Sequence, residues 1–340
     1  MSSSTSDRVG AGRAVEVVDR TAPPPAGASP EAGAPTRRHR GGRILTIVLF
    51  LLPALVLFGT LVLLPMLLAM YTSLFDWNGF GGRPTDFVGL ENFQRLLTDD
   101  IFVGDLRRGL LLIVLSLLIQ LPLSLGIAML LNQKLRGRAF YRLLFFVPYV
   151  LSEVITGVLF TMVFSPNRGL AGHIAGWFGF HDIGATWLSD PETVMYSLFF
   201  VMTWKYFGFH MILYLAGRQS IPNELIEAAQ VDGAGSWQAF RHVTLPLLGP
   251  TIRISVFLSV IGTIQLFDLV WVLTGGGPLH ASETLAVTMF NDGFRRSDVG
   301  YASATSIVML LISLVFALFY QRFIMRRDIE GAVTVMQGKK

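Results

Sequence analysis

The feature that most constrains this chain is a series of six long apolar runs. Each run is close to, or longer than, the roughly 20 residues that an α-helix needs to cross the hydrocarbon core of a bilayer. Backbone groups in lipid must be paired within the chain, so such runs are predicted to be helices. The predicted spans cover residues 44–73, 109–132, 143–164, 194–217, 247–273 and 301–320. We therefore predict an all-α, polytopic membrane protein with six transmembrane helices.

The balance of charged and apolar residues agrees with this prediction. Hydrophobic residues make up 52% of the chain and charged residues only 15%, whereas soluble domains average about 25% charged residues. The chain therefore has too few charges to cover a globular surface of its size. It also has no cysteine, which excludes disulfides and thiolate metal sites.

The loops between the apolar runs indicate an orientation. The loop after the second run contains Lys134, Arg136, Arg138 and Arg142 and no acid, and arginines also follow the last run. The first and third loops instead carry more acids than bases. By the positive-inside rule, both termini, the second loop and the polar loop at 218–246 are predicted to be cytoplasmic.

The two ends of the chain differ in composition from the apolar middle. Residues 1–42 are rich in Ser, Ala, Gly, Pro and Arg without apolar periodicity, which is typical of disordered segments. A secretory signal is disfavoured, because the first apolar run starts only at Ile44 and is too long for a signal core. We predict a disordered cytoplasmic tail over 1–42, a six-span domain over 43–327 and a second cytoplasmic tail over 328–340.

One polar stretch between two apolar runs carries a dense helical pattern. It spans residues 220–250 and reads SIPNELIEAAQVDGAGSWQAFRHVTLPLLGP. Ser220 and Pro222 are typical of a helix start. Gly233 is a predicted stop, because glycine adopts the left-handed conformation without steric cost. The pattern predicts a helix of about ten residues, ~15 Å long, that lies outside the membrane.

This stretch resembles a known motif. Glu227-Ala228-Ala229, then Gly233 and the later Val-Thr-Leu-Pro at 243–246 are similar to the EAA loop of binding-protein-dependent ABC importer permeases. In that family the helix is a coupling helix that docks on a separate ATPase subunit. The resemblance implies a coupling role for Glu224, Glu227, Ala228, Ala229, Asp232 and Gly233. An ordinary interfacial helix between two spans is the alternative.

Further segments resemble the maltose-type first permease of carbohydrate uptake family 1. They are residues 87–93 (FVGLENF), 204–206 (WKY) with 214–217 (YLAG), 273–278 (LTGGGP) and 301–304 (YASA). The resemblance covers about residues 42–327. It implies a type I ABC importer permease fold, in a version with six spans rather than eight.

The family implies an assembly. Its permeases work with a second homologous permease subunit, two ABC ATPase subunits and an extracytoplasmic solute-binding protein, in the bacterial plasma (inner) membrane. ATP and Mg are expected on the ATPase subunits, with no cofactor on this chain. The expected cargo is a sugar, usually an oligosaccharide; glycerol-3-phosphate or another polyol is the alternative. Nucleic-acid binding is not expected, because the arginines before the first span are better explained as a topology signal.

In this family the solute contacts come from spans that match the fourth and fifth runs here. The matching positions are Met202, Lys205, Tyr206, Phe209, Ser259, Gly262, Thr263 and Leu266. Aromatic faces suit the apolar side of a pyranose, and hydroxyl groups suit its OH groups. Thr263 and Leu266 stand where the maltose-type pattern has asparagines, which argues against maltose itself.

Ionisable residues inside spans are candidates for function. In straight helices, Glu153 and Lys205 would both lie ~15–16 Å from a membrane surface, at nearly the same depth. We therefore predict an ion pair between them beside the solute path. The alternative is that Lys205 faces a wet cavity and contacts the solute directly.

Motifs for catalysis are missing from the sequence. There is no GxxxxGK[ST], no HExxH and no nucleophile–base–acid arrangement, so the chain is not expected to be an enzyme. Two other classes remain open. A secondary transporter needs an ion or proton relay and commonly two inverted halves, and a membrane scaffold needs no docking helix.

Overall fold

The computed structural model describes residues 40–133, 135–166, 169–177 and 187–325. The predicted C-terminal tail and residues 1–39 of the predicted N-terminal tail lie outside these ranges. The described elements, in chain order, are α1 (Arg40–Phe58), a π-helical turn (Gly59–Leu63), α2 (Leu64–Thr72), β1 (Phe75–Asp76), β2 (Asp86–Phe87), α3 (Glu91–Thr98), α4 (Asp100–Leu115), a π-helical turn (Ser116–Gln120), α5 (Leu121–Asn132), α6 (Arg138–Val150), α7 (Glu153–Val163), α8 (Leu170–Trp177), α9 (Val194–Gln219), α10 (Asn223–Val231), α11 (Ser236–Ala239), a π-helical turn (Phe240–Thr244), α12 (Leu245–Leu247), α13 (Gly249–Ile264), α14 (Asp268–Leu273), α15 (Leu285–Phe290), a π-helical turn (Asn291–Arg295), α16 (Val299–Tyr320) and a π-helical turn (Gln321–Met325).

The chain divides into two units, residues 1–57 and 58–340. In the first unit the described residues belong to α1, an apolar helix with Pro53 inside it. The second unit contains α2 to α16 and the two short strands, which pair antiparallel with Phe75 opposite Phe87. The predicted all-α class is confirmed, since this two-stranded pair is the whole sheet content of the described residues.

By length and composition, the described residues contain up to six segments that could cross a membrane, if two bent helix pairs each count as one. The bent pairs are α6 with α7, at 97°, and Ser236–Leu247 with α13, at 66°. Four continuous helices are long and apolar enough to cross a membrane: Ile47–Thr72, Asp100–Asn132, Val194–Gln219 and Val299–Met325. The second of these begins nine residues earlier than the apolar run at 109–132 predicts.

The third predicted span, 143–164, is wrong as a straight helix. α6 ends at Val150, and Leu151 adopts an extended conformation with ψ 144°. Ser152 then caps α7, because its hydroxyl accepts a hydrogen bond from the N–H of Ile155 at 3.1 Å. The sequence carries a signal for this break that the span prediction missed, because Ser152 followed by Glu153 is typical of a helix start.

The fifth predicted span, 247–273, is also interrupted. α13 ends at Ile264, and α14 begins at Asp268 after a short irregular segment. The hydroxyl of Thr284 donates a hydrogen bond of 2.7 Å to the carbonyl oxygen of Leu266 inside this break. A side chain from another segment thus pairs a carbonyl that the helix leaves free, as a buried break in a membrane protein requires.

α9 is the most buried of the continuous spans within the second unit. Its most apolar window is 56% buried, against 17% for Val299–Met325. It packs against α5 and α6, and a Cβ added at Gly208 would lie 2.0 Å from the carbonyl oxygen of Phe145. Glycine is therefore what allows the two backbones to meet. Leu198 and Val201 of α9 are fully buried in the largest apolar cluster.

Two of the recognised segments meet at one side of the second unit. Asn92, from the FVGLENF segment, donates hydrogen bonds from its amide to the carbonyl oxygens of Ser73 at 2.9 Å and Phe75 at 3.0 Å. Tyr301, from the YASA segment, donates from its hydroxyl to Asp99 at 2.6 Å. These contacts fix α3 against the end of α2 and the start of α16.

Candidate functional site

A cavity of about 390 Å³ opens between several helices of the second unit. Its walls come from the turn between α4 and α5, the α6–α7 break, the middle of α9, and α13 with the break that follows it. The residues that line it are Ser116, Gln120, Tyr149, Glu153, Met202, Tyr206, Phe209, His210, Leu258, Ser259, Gly262, Thr263, Gln265, Leu266, Phe267 and Asp268.

Seven of the eight positions predicted for the solute path line this one cavity. They are Met202, Tyr206, Phe209, Ser259, Gly262, Thr263 and Leu266. Lys205 is the exception: its side chain is 3% exposed and is not among the lining groups. The structure thus brings together residues from α9 and α13 that are 50 or more positions apart in the sequence. Their contact with a solute stays a prediction.

Polar groups line one wall of the cavity. The hydroxyl of Ser116 bonds to the hydroxyl of Ser259 at 2.8 Å and donates to the side-chain oxygen of Gln120 at 3.0 Å. Ser116 and Gln120 lie in the π-helical turn between α4 and α5. Pro122, just after this turn, has no backbone N–H and cannot donate a helical hydrogen bond to it. π-Helical turns are frequent at functional sites. The wall therefore presents hydroxyl and amide groups within an otherwise apolar region.

Aromatic rings form another wall. The rings of Tyr149 and Phe209 are stacked, with centroids 4.9 Å apart, and Tyr149 meets Tyr206 edge to face at 6.3 Å. Phe267 adds a fourth ring from the α13–α14 break. Aromatic faces and nearby hydrogen-bonding groups are the combination that specific small-molecule cavities use for binding and orientation.

Glu153 and Lys205 do not form the predicted direct ion pair in this conformation. The Lys205 ammonium donates a hydrogen bond of 2.6 Å to the carbonyl oxygen of Leu151. The carboxylate of Glu153 instead accepts a hydrogen bond from the hydroxyl of Tyr206. The two residues lie at a similar level, since Glu153 bonds to the neighbour of Lys205 on α9, but each charge has another hydrogen-bond partner. The alternative of a Lys205 that contacts solute in a wet cavity is not seen either, since its ammonium is buried.

His210 joins two helices at the edge of the cavity. Its Nδ1 and the hydroxyl of Ser255 lie 2.7 Å apart, which connects α9 to α13. His210 is 4% exposed and Ser255 is fully buried. The pair therefore holds together the two helices that carry most of the lining residues.

The predicted docking helix is α10, which follows the C-terminal end of α9. Tyr206 lies about 20 Å before that end, at 1.5 Å per residue, so α10 is distant from the cavity along α9. Glu227, Ala228 and Gly233 are exposed. The left-handed conformation predicted for Gly233 is confirmed by its φ of +87°. α10 thus presents a polar and small-residue surface with the stop that its sequence predicts.

The start of this helix differs from the prediction. Ser220 ends α9: its hydroxyl donates to the carbonyl oxygen of Gly217 at 2.7 Å. Pro222 precedes the first helical residue, Asn223. Of the two predicted start signals, only Pro222 therefore lies at the start of α10. The remaining coupling positions lie on or just after this helix: Glu224, Ala229 and Asp232.

Several lining residues were missed from the sequence. Tyr149, Gln265 and Phe267 belong to helix ends that the apolar pattern did not separate. Ser116 and Gln120 did leave a signal. They are polar residues four apart in an apolar run, and this spacing places both on one helix face.

Comparisons with known proteins place these features in context. The chain matches a family described as binding-protein-dependent transport system inner membrane component over residues 120–328. It is 37% identical to a protein of Pyrococcus horikoshii named a probable ABC transporter permease, over 81% of this chain and 94% of that protein. It is 32% identical to the diacetylchitobiose uptake system permease of Streptomyces coelicolor, over 84% of each chain.

A solved structure shares the fold. It is a chain of a bacterial ABC transporter involved in the import of the acidic polysaccharide alginate. The TM-score is 0.73 and the identity 25%, and the match covers 84% of this chain and 96% of that one. The same fold is seen in a bacterial alginate transporter in complex with an alginate pentasaccharide-bound periplasmic protein, again with a TM-score of 0.73.

Proposed function

The chain belongs to the family of binding-protein-dependent transport system inner membrane components, and from this premise we propose that it forms half of the solute path of an ATP-driven sugar importer. As a member of this family it is a transport component and not an enzyme. The other half of the path is assigned to a second homologous permease.

The cavity is the observation that carries this proposal. It unites residues of α9 and α13 with the α6–α7 break, and it offers both aromatic rings and hydroxyl groups. Tyr149 and Phe209 suit the apolar face of a sugar ring, and Ser259 and Thr263 suit its hydroxyl groups. A cavity with these groups fits a saccharide better than an apolar solute.

The relatives support the same solute class. The relative from Streptomyces coelicolor is named for diacetylchitobiose uptake, and the structural neighbour for import of alginate. Both cargoes are saccharides of more than one ring. An oligosaccharide is therefore the proposed cargo.

The proposed energy source is ATP hydrolysis on two ABC ATPase subunits, which hold ATP and Mg. α10 supports this assignment, because it is exposed and carries no buried residue. Glu227 offers a carboxylate, and Ala228 and Ala229 allow a partner to approach closely. We assign the docking surface to Glu224, Glu227, Ala228, Ala229, Asp232 and Gly233.

The proposed orientation follows the basic loops. With both termini and α10 in the cytoplasm of a bacterial cell, the loop at Gly275–Gly277 faces outward, where an extracytoplasmic solute-binding protein docks. The periplasmic protein bound to the alginate transporter supports this partner. Exposed apolar side chains along α16, such as Val315 at 65% and Leu318 at 57%, suit contact with lipid or with the second permease.

Reconstitution tests the proposal. The chain would be assembled in proteoliposomes with its second permease, its ATPases and its binding protein. The labelled sugar that co-purifies with the binding protein is the probe. We expect uptake only with ATP on the ATPase side and with the binding protein on the other side.

Two outcomes would contradict the proposal. Uptake driven by an ion gradient without ATP would identify a secondary transporter. If all subunits assemble normally but uptake does not require this chain, the chain is a scaffold. Gly262→Phe, which fills part of the cavity, is expected to block uptake while leaving assembly intact.

A further inference from the structure

We propose that Glu153 and Asp268 make this solute path reject anionic solutes, so that the importer carries uncharged sugars and not acidic ones. This inference rests on the proposed function, because it concerns the charge selectivity of the same cavity. Neither carboxylate is among the eight positions to which the family resemblance assigns solute contact.

Both carboxylates line the cavity and begin a helix. Glu153 is the first residue of α7, and Asp268 is the first residue of α14. A negative charge is stabilised at a helix N-terminus by the amide groups of the first turn. The hydroxyl of Tyr206 also donates a hydrogen bond to Glu153.

No lysine or arginine is among the described residues that line the cavity. Lys205 is the nearest candidate in the sequence, but its ammonium is buried and bonded to the backbone carbonyl of Leu151. The only formal charges at the cavity wall contributed by these residues are therefore negative.

A cleft lined by one sign of charge concentrates ions of the opposite sign and depletes ions of the same sign. An acidic sugar or a phosphate ester would meet two carboxylates and no lysine or arginine among the described lining residues. The glycerol-3-phosphate alternative is disfavoured for the same reason. An uncharged sugar instead finds two strong hydrogen-bond acceptors for its hydroxyl groups.

The absence of cysteine allows a test that needs no knowledge of the natural solute. A Cβ added at Gly262 meets no atom within 4 Å, and Gly262 lines the cavity. Gly262→Cys therefore places a single thiol in the path without displacing a neighbour. Leu97→Cys is the matched control, because Leu97 is 76% exposed on α3 and lies outside the cavity.

The assembled importer in detergent would be treated with two methanethiosulfonates of similar size, one carrying trimethylammonium and one carrying sulfonate. Mass spectrometry of this chain gives the labelling rate at each thiol. We expect the cation-to-anion rate ratio to be about tenfold or more higher at position 262 than at position 97. Glu153→Gln combined with Asp268→Asn should bring the ratio at 262 close to that at 97.

The possible failures are distinguishable. If the thiol at 262 reacts well but shows the same ratio as the control, or keeps its bias after both acids are neutralised, the charge inference is wrong and the path assignment survives. If that thiol reacts with neither reagent in any nucleotide state while the control reacts, the cavity is closed to solutes. The proposed path then fails, and the charge inference fails with it.

Discussion

The Lys205 ammonium donates a hydrogen bond of 2.6 Å to the carbonyl oxygen of Leu151, between the last residue of α6 and the cap of α7. The break leaves this carbonyl without a helical partner, and a buried acceptor without a partner is costly. Lys205 thus stabilises the bend that exposes Glu153 and Tyr149 to the cavity. The contact gives a buried lysine a structural role.

We predict that Lys205→Met loosens this bend without preventing insertion. Loss of the hydrogen bond costs about 1–3 kcal/mol, but removal of a charge from mid-membrane returns about 2.5–3.5 kcal/mol on insertion scales. Membrane abundance should therefore hold. Amide hydrogen exchange at the start of α7 should speed up in the assembled importer. Lys205→Arg, which keeps a donor, is the control, and equal exchange in all three proteins would contradict the prediction.

The sequence predicts the location of the spans well but not their breaks. Long apolar runs reveal membrane helices because the bilayer imposes a minimum length. The breaks at Leu151 and at Leu266 depend on donors from distant residues, Lys205 and Thr284. No local pattern identifies those donors, because the two partners of each bond belong to different elements.

The same limit applies to the cavity. The family resemblance predicted seven of the lining residues, which lie on α9, on α13 and in the break after α13. It could do so because each of those segments carries or adjoins a recognised motif. Tyr149 and Phe267 were missed because their positions follow from the bends. Glu153 was recognised as an ionisable residue in a span, but Tyr206, and not Lys205, donates to its carboxylate.

The contact between α9 and α6 gives a second prediction. Gly208→Ala would place a methyl group 2.0 Å from the carbonyl oxygen of Phe145. Because that atom belongs to the backbone, the helices must separate, at a cost of about 1–3 kcal/mol or more. We expect lower membrane abundance and a lower melting temperature. Gly126→Ala is the control, since a Cβ there meets no atom within 4 Å; equal abundance of the two variants would argue against the close contact.

A third prediction concerns pH at the junction of α3, α4 and α16. Burial acts to raise the pKa of Asp99, but the hydroxyl of Tyr301, the N–H groups of Ile101 and Phe102 and the charge of Arg95 together hold this pKa below its ordinary value of 3.8. Because its pKa is lower in the folded state, Asp99 stabilises that state at pH values above its pKa in the unfolded chain. This stabilisation is lost as the pH falls through the pKa of the folded state.

The melting temperature of the detergent-solubilised importer should therefore fall as the pH drops below about 4. Asp99→Asn should reduce this dependence. Asparagine is as good a helix cap as aspartate, so the variant keeps the cap of α4. It removes the charge and the second oxygen, which accepts from the Tyr301 hydroxyl. An unchanged pH profile in Asp99→Asn would show that other carboxylates control acid stability.

A fourth prediction concerns the proposed coupling surface. Gly233 has a φ of +87° with open space around it, so a larger side chain is opposed by backbone strain and not by a clash. Gly233→Val should cost about 1–3 kcal/mol locally and turn α10 away from its docking position. Solute-stimulated ATP hydrolysis should fall at normal membrane abundance. Gly233→Asn is the control, because asparagine tolerates the left-handed conformation, and its hydrolysis should stay close to wild type. Wild-type hydrolysis in Gly233→Val would contradict a coupling role for Gly233.

The last prediction decides which residue is the partner of Glu153. The hydroxyl of Tyr206 donates to its carboxylate, whereas the ammonium of Lys205 bonds to Leu151. Two double-mutant cycles share Glu153→Gln and differ in the second change, Tyr206→Phe or Lys205→Met. Residues in one hydrogen-bond network couple by about 0.5–3 kcal/mol.

We expect the Tyr206 cycle to show coupling in that range and the Lys205 cycle to show clearly less, measured by thermal unfolding of the assembled importer. Tyr206 and Lys205 are neighbours on α9, so the two cycles probe the same region and are directly comparable. The Lys205 cycle will not reach zero, because the ammonium still feels the charge of Glu153. A larger coupling in the Lys205 cycle would restore the direct ion pair that a straight third span predicts.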